Sequence, residues 1–362
     1  MVRFAPPEVI DKESPAAQPR GAVPVVAANR RSRRLAAPSC APTNSLLEQA
    51  FPSWARPPKQ PAVGADAGFE AAFFAGAGLA LLDQIVRLDP PFAGALRQRL
   101  ALRAATACAA LARHREDSSA LRDAEHLSPN AGGNAPTSPA GRIHRLWRGF
   151  AARPAGFDQQ NLRRAADLLE LPRELDFEAL AETLQNLVLR EKNPLAAAAR
   201  AGSTTMRMLD GAPRAETEIL ALWLSDLMLA RKLGWEAPIA LLATTIARPS
   251  LRSAGHRTRP DDAKWLLHCA KAAGLAAQDA HKLAVDLARR SAKLLAVLPK
   301  LRAKRAGRVI TLLLDDDAVA PATAAKAAGL SDRASRRLFD RLVELKVVRE
   351  LSGRPSFRLY GL

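Results

Sequence analysis

The 362-residue chain carries 54 Lys plus Arg against 36 Asp plus Glu, a formal net charge of +18 and a sequence pI of about 10.8. It is 48% apolar but only 5% aromatic, and Ala and Leu dominate; this excludes a wholly disordered chain and a β-rich architecture and favours helices packed on helices. The three cysteines, Cys40, Cys108 and Cys269, form no C-x-x-C pair, which excludes a disulfide frame and a Cys-type zinc site and points to a reducing compartment.

Residues 1–44 read as a disordered arm, rich in Pro and without periodicity, with a basic knot at Arg30, Arg31, Arg33 and Arg34. The opening MVRFAPPEVIDKE has no apolar core of a secretory signal. The longest apolar run, Ala71 to Leu82, stops at Asp83 and is too short to span a bilayer. The expectation is a cytoplasmic protein with no membrane partner.

A multi-helix body is expected over 45–298, with loops near 128–141 and 249–260. Helices are predicted over 68–88 and 92–114, split by Asp89-Pro90-Pro91, because the residue before a proline leaves the α region. A third covers about 116–127. Asp176 caps a helix running to about Arg190, and Asn193-Pro194 is an N-cap followed by an N1 proline. Glu218 to Lys232 is apolar nearly all round and marks a central helix closed by Gly234. Further helices are predicted over 261–273 and 277–298. The run from Arg289 to Arg308 holds eight cations and no acid, favourable only beside a polyanion or an acidic surface.

Residues 299–362 read as a separate winged helix-turn-helix domain of three helices plus a β-hairpin, with a complete small core of its own. A first helix is predicted over Arg308 to Leu314 and a second over Pro321 to Ala328. Gly329 makes the turn, and Ser331 caps a third helix running from Asp332 to about Lys346. Stepping 100° per residue puts Ala334, Leu338, Leu342 and Leu345 on its inner side, with Arg333, Arg336, Arg337 and Arg341 opposite. Strands are predicted over Val347 to Leu351 and Ser356 to Tyr360. Gly353 permits the turn, Arg354 stands at the tip, and Arg349 and Arg358 flank it. Both proteins and the major groove of duplex DNA accept such a helix.

The segment LVELKVVRELSGRPSFRLYGL resembles the winged-helix tail of bacterial regulators and of Fic-type AMP transferases. The Fic catalytic motif is absent, so that activity is not implied. Through FFAGAGLALLDQIVRLDPPFAGALRQRLALRAA, ARHREDSSALRDAEHL, PKLRAKRAG and the tail, the chain also resembles the bacterial domain-of-unknown-function family 1403. That resemblance implies a shared fold and no activity.

The leading functional expectation is a non-enzymatic protein binding duplex DNA. The candidate contacts are Arg333, Arg336, Arg337, Arg341, Arg349, Arg354 and Arg358, with Lys300, Arg302, Lys304 and Arg305 from the basic run. The body would then serve dimerisation or partner binding, and no cofactor or metal is expected. One alternative is an interaction protein whose winged helix docks on protein. The other is an enzyme with a site near Arg115, Glu116, Asp117, Arg122, Asp123 and His126. There Asp123 shares a face with His126, although an ion-paired helix is the plainer account. Gly76-Ala-Gly78 lacks the third glycine of a dinucleotide loop and reads as a close helix contact. Asp315, Asp316 and Asp317 have no ligand-spaced His and read as capping, solvated groups. Trp223, Trp235 and Trp265 read as core.

Overall fold

A computed structural model describes residues 50–58, 64, 66–127, 138–152, 156–253, 255–301, 305–354 and 356–362. All of these residues fall within one compact unit, 43–362. The expected arm, its basic knot and Cys40 lie outside the described residues, as do Arg302 and Lys304.

The described chain is mainly helical. Its helices are α1 (Asp66–Leu88), α2 (Ala93–Leu111), α3 (Ser118–Leu127), α4 (Pro139–Ala152), α5 (Gln159–Leu168), α6 (Phe177–Arg190) and α7 (Pro194–Met208). They continue with α8 (Arg214–Leu233), α9 (Leu242–Thr245), α10 (Trp265–Val297), α11 (Ala306–Asp315), α12 (Pro321–Ala328) and α13 (Asp332–Glu344). Two antiparallel pairs complete it: β1 (Arg252–Ser253) with β2 (His256–Arg257), and β3 (Arg349–Glu350) with β4 (Tyr360–Gly361).

Local chemistry accounts for most of the boundaries. Asp176 accepts from Ala179 N at 2.9 Å, and Asn193 accepts from Leu195 N and Ala196 N ahead of Pro194. Gly234 closes α8 at φ +69°. This helix is buried nearly all round, including Asp226, whose carboxylate accepts from Leu241 N and Leu242 N at 3.0 and 2.9 Å. That bond holds the start of α9, a helix of four residues that the sequence did not announce.

Two expectations are corrected. The helices over 261–273 and 277–298 are one 33-residue helix, α10, running through Gly274. The glycine is there for a neighbour: a Cβ on it would lie 3.3 Å from Ala75 N of α1, and one on Gly78 would lie 3.1 Å from Ala277 Cβ. Gly76-Ala-Gly78 therefore belongs to a helix crossing, as the sequence suggested. Second, the loop at 249–260 contains a short 3-10 turn and the β1–β2 pair, with Arg257 pinned to buried Glu218. The helix α1 extends beyond the apolar run Ala71 to Leu82 at both ends. Its 23 residues reach about 35 Å at 1.5 Å each, and by length and composition α1 is apolar enough to cross a membrane. A third of its most apolar window is buried here, against α10 among others.

One hydrophobic core runs from Ala71 of α1 to Leu362, taking in α2, α4, α8 and α10 as well as Val309, Ile310, Leu338 and Phe339 of the last helices. Leu298–Lys300 holds no buried residue, yet the core continues on its far side. A Cβ on Gly94 of α2 would stand 2.6 Å from Asp315 Cα, so α2 and α11 cross at backbone distance. Arg99 of α2 donates to Leu362 O.

Inside this core His144 of α4 is 1% exposed, and neither ring nitrogen has a hydrogen-bond partner among the described residues. Burial, with the Arg148 guanidinium beside it, pushes its pKa down to about 4. The unfolded chain protonates this ring below about pH 6.5, whereas the folded chain keeps it neutral to about pH 4. Its share of stability is thus intact above about pH 6.5 and lost as pH falls toward 4, up to about 3 kcal/mol at ~1.4 kcal/mol per pH unit. His144→Leu is expected to flatten this part of the pH profile and to leave neutral-pH stability unchanged or higher, since it removes an unpaired buried polar group. Urea denaturation at pH 7.5, 6 and 4.5 checks it; parallel profiles for the two proteins would refute this role.

Candidate nucleic-acid interface

Pro321 opens α12 at its first position, and Gly329 ends it at φ +63°. Ser331 Oγ then accepts from Ala334 N at 3.2 Å and starts α13. The second and third helices were therefore legible residue by residue. The inner side of α13 differs in part from the expected one: Ser335, Leu338, Phe339 and Leu342 are buried, Leu345 is half-buried and Ala334 is exposed. Ser335 can point inward because its Oγ donates to Pro321 O at 2.8 Å. Phe339 stacks on Tyr360, ring centroids 4.5 Å apart.

The hairpin is shorter than expected. Leu351 N donates to Leu359 O at 2.8 Å, and the loop between carries Gly353 at φ +60° and an exposed Phe357. The sequence did not reveal that Val319, between α11 and α12, bridges Tyr360 in antiparallel fashion with bonds of 2.8 and 3.0 Å. A single residue leaves no periodicity to detect.

The candidate cations fall into three groups. Arg333, Arg336 and Arg337 are exposed on α13 and have no ion pair among the described residues. Lys300, Arg349 and Arg358 are exposed at the end of α10 and along the hairpin. The remaining three are engaged: Arg341 with Glu344 at 2.8 Å, Arg354 with Asp123 of α3 at 2.6 Å, and Arg305 with the carbonyls of Ala328 and Gly329. Arg305 thus closes the end of α12, where the helix dipole favours a cation.

Two of the three aspartates are the larger correction. Asp315 is exposed, but Asp316 and Asp317 are not solvated capping groups: Asp317 is 1% exposed, and Asp316 is largely covered. Arg148 of α4 forks onto Asp316 at 3.0 and 2.9 Å and reaches Asp317 Oδ1 at 3.1 Å. Arg122 donates to Asp317 Oδ2 at 3.0 Å, and His126 Nε2 stands 3.2 Å from Oδ1. Burial alone pushes the Asp317 carboxyl up; His126 and Arg148 overcome this and hold it well below the usual carboxylate range. The pairing of Asp123 with His126 is likewise corrected, because Asp123 turns to Arg354 and His126 to Asp317. The ion-paired helix α3 packs against its neighbour α4, where Glu125 meets Arg145 and Arg148, and it also forms the joint to the α11–α12 connection.

His126, Asp316 and Asp317 bring three ligand-type atoms within 4.8 Å of one another. Each carboxylate oxygen already accepts from an N–H donor, and two arginines balance the two charges. A cation would have to displace guanidinium groups, so the arrangement suits cohesion rather than metal binding.

Beside this joint lies a cleft of about 690 Å³, walled by His126 and Leu127 of α3, Arg336 and Asp340 of α13, and Arg358 and Tyr360 of the hairpin. α13 therefore has two exposed arcs. Asp332, Arg336 and Asp340 border the cleft, whereas Arg333, Arg337 and Arg341 lie round the helix from it.

Fold and site together define a mainly helical protein whose last three helices and hairpin are tied to the rest by a buried ionic joint and carry an arginine-lined outer helix. The chain belongs to the family described as "Protein of unknown function (DUF1403)", whose model matches residues 42–362. No curated protein matches the chain.

Proposed function

We propose that the chain binds duplex DNA through a winged helix-turn-helix formed by residues 299–362, acting in the cytoplasm and without catalysis. The helical portion over 45–298 serves as the platform for a partner or a second copy. The observation that carries this reading is the outer arc of α13, where Arg333 and Arg337 are exposed without an acidic partner among the described residues. The helix behind them is anchored by four buried side chains. A short turn from α12 and a hairpin beside α13 support the same reading, since this order presents a helix to the major groove.

Each phosphate contact adds about 0.9 to the slope of log affinity against log salt. Arg333→Ala combined with Arg337→Ala is expected to flatten that slope by roughly two units. Arg354→Ala is expected to do less, because Arg354 must first leave Asp123. Lys192→Ala, exposed between α6 and α7, is expected to change nothing. Gel shifts with random duplex at several salt concentrations measure all three. If the intact protein shows no salt-sensitive duplex binding, the DNA reading fails and the α13 surface becomes a protein-docking face.

A further inference from the structure

The basic run from Arg289 to Arg308 does not meet an acidic surface along its first part. Arg289, Arg290 and Lys293 of α10 face Lys346 and Arg349, which bracket the connection from α13 to β3, across a cleft of about 200 Å³. Its remaining lining is Asp286, Val347 and Leu362. Asp286 is taken by Arg290 at 2.8 Å. Arg289, Lys293, Lys346 and Arg349 have no ion pair among the described residues.

Two details show that the positive charge is built in. Lys346 sits at φ +55°, in the left-handed position after α13 where glycine is the ordinary residue, yet a long cation occupies it. Behind the cleft Arg99 donates to Leu362 O, and burial, with Arg290 and Arg122 adding to it, pushes its pKa down to about 10. A helix C-terminus favours one cation, not five from two separate elements.

Like charges gathered in a concavity repel and become favourable only around an anion of several charges. The cleft is roughly the room of six or seven waters at ~30 Å³ each, and most of its lining is polar. It therefore suits compact oxyanions rather than a ring system. Guanidinium forks and ammonium groups together match phosphate oxygens. We propose that this cleft binds phosphate: two or three linked phosphate groups, drawn either from a free polyphosphate or nucleotide or from the backbone of a nucleic acid. The inference stands without the DNA reading of α13.

Titration calorimetry of the full chain with inorganic tripolyphosphate, beside gel shifts with random duplex, tests it. Three variants of equal charge change are compared: Lys293→Ala with Arg349→Ala, Arg333→Ala with Arg337→Ala, and Lys192→Glu as a control for net charge. All these residues are exposed, and circular dichroism verifies folding. The expected result is tripolyphosphate binding that the cleft variant weakens by at least roughly tenfold and the other two leave unchanged. A cleft variant that loses tripolyphosphate but keeps duplex identifies a free phosphate ligand. One that weakens duplex beyond the Lys192→Glu control identifies backbone phosphates. Loss of duplex binding only in the α13 variant would speak to the DNA reading alone. The inference is overturned if the cleft variant matches the Lys192→Glu control in both assays, or if the intact protein binds neither probe.

Discussion

Asp317→Asn is expected to cost about 3 to 5 kcal/mol, the usual cost of removing one partner from a buried ion cluster. The amide keeps the shape but removes the charge that Arg122, His126 and Arg148 share. Arg148 keeps Asp316, whereas the single amide oxygen cannot accept on both sides, from Arg122 and at the His126 position, as the two carboxylate oxygens do. Asp316→Asn is expected to cost less, since that side chain is 28% exposed and water can replace part of the bond. Acid sensitivity has a matching sign. A carboxyl held below its unfolded pKa contributes fully above about pH 4, and the contribution falls away as pH drops below that. Asp317→Asn should therefore flatten the profile below about pH 4. Urea midpoints at pH 7 and pH 3.5 measure both effects. A change below about 1 kcal/mol at pH 7 would show that the joint contributes nothing to cohesion.

Phe339→Ala is expected to cost about 3 to 5 kcal/mol, by lost apolar burial plus the cavity left behind. Phe339 is fully buried, stacks on Tyr360 and lies between the α12–α13 pair and the hairpin. How the loss appears matters as much as its size. The core is continuous from α1 to Leu362, α2 meets α11 at backbone distance, and the aspartate joint adds ionic contacts. A single thermal transition, shifted down as a whole, is the expected outcome. An early transition of the last sixty-odd residues, with the remainder melting unchanged, would instead support the independent module that the sequence suggests.

Helix identity was legible where one or two residues decide it. Asp176, Asn193-Pro194, Gly234, Pro321, Gly329 and Ser331 act within a turn of their own position, so their effect is written locally. The mainly helical class followed from composition, and the arginine arc of α13 from its 3.6-residue period. What the sequence could not decide depended on partners far along the chain. Gly274 looks like a helix end until Ala75 is seen beside it. Val319 looks like a loop residue until Tyr360 bonds to it. Asp316 and Asp317 look like solvated acids until Arg148, some 168 residues away, is placed on them. Five cations on two elements become one cleft only when α10 and the start of β3 face each other. Caps and periodicity are short-range, whereas burial of charge and close backbone approach are properties of the assembled core, fixed only when distant segments meet.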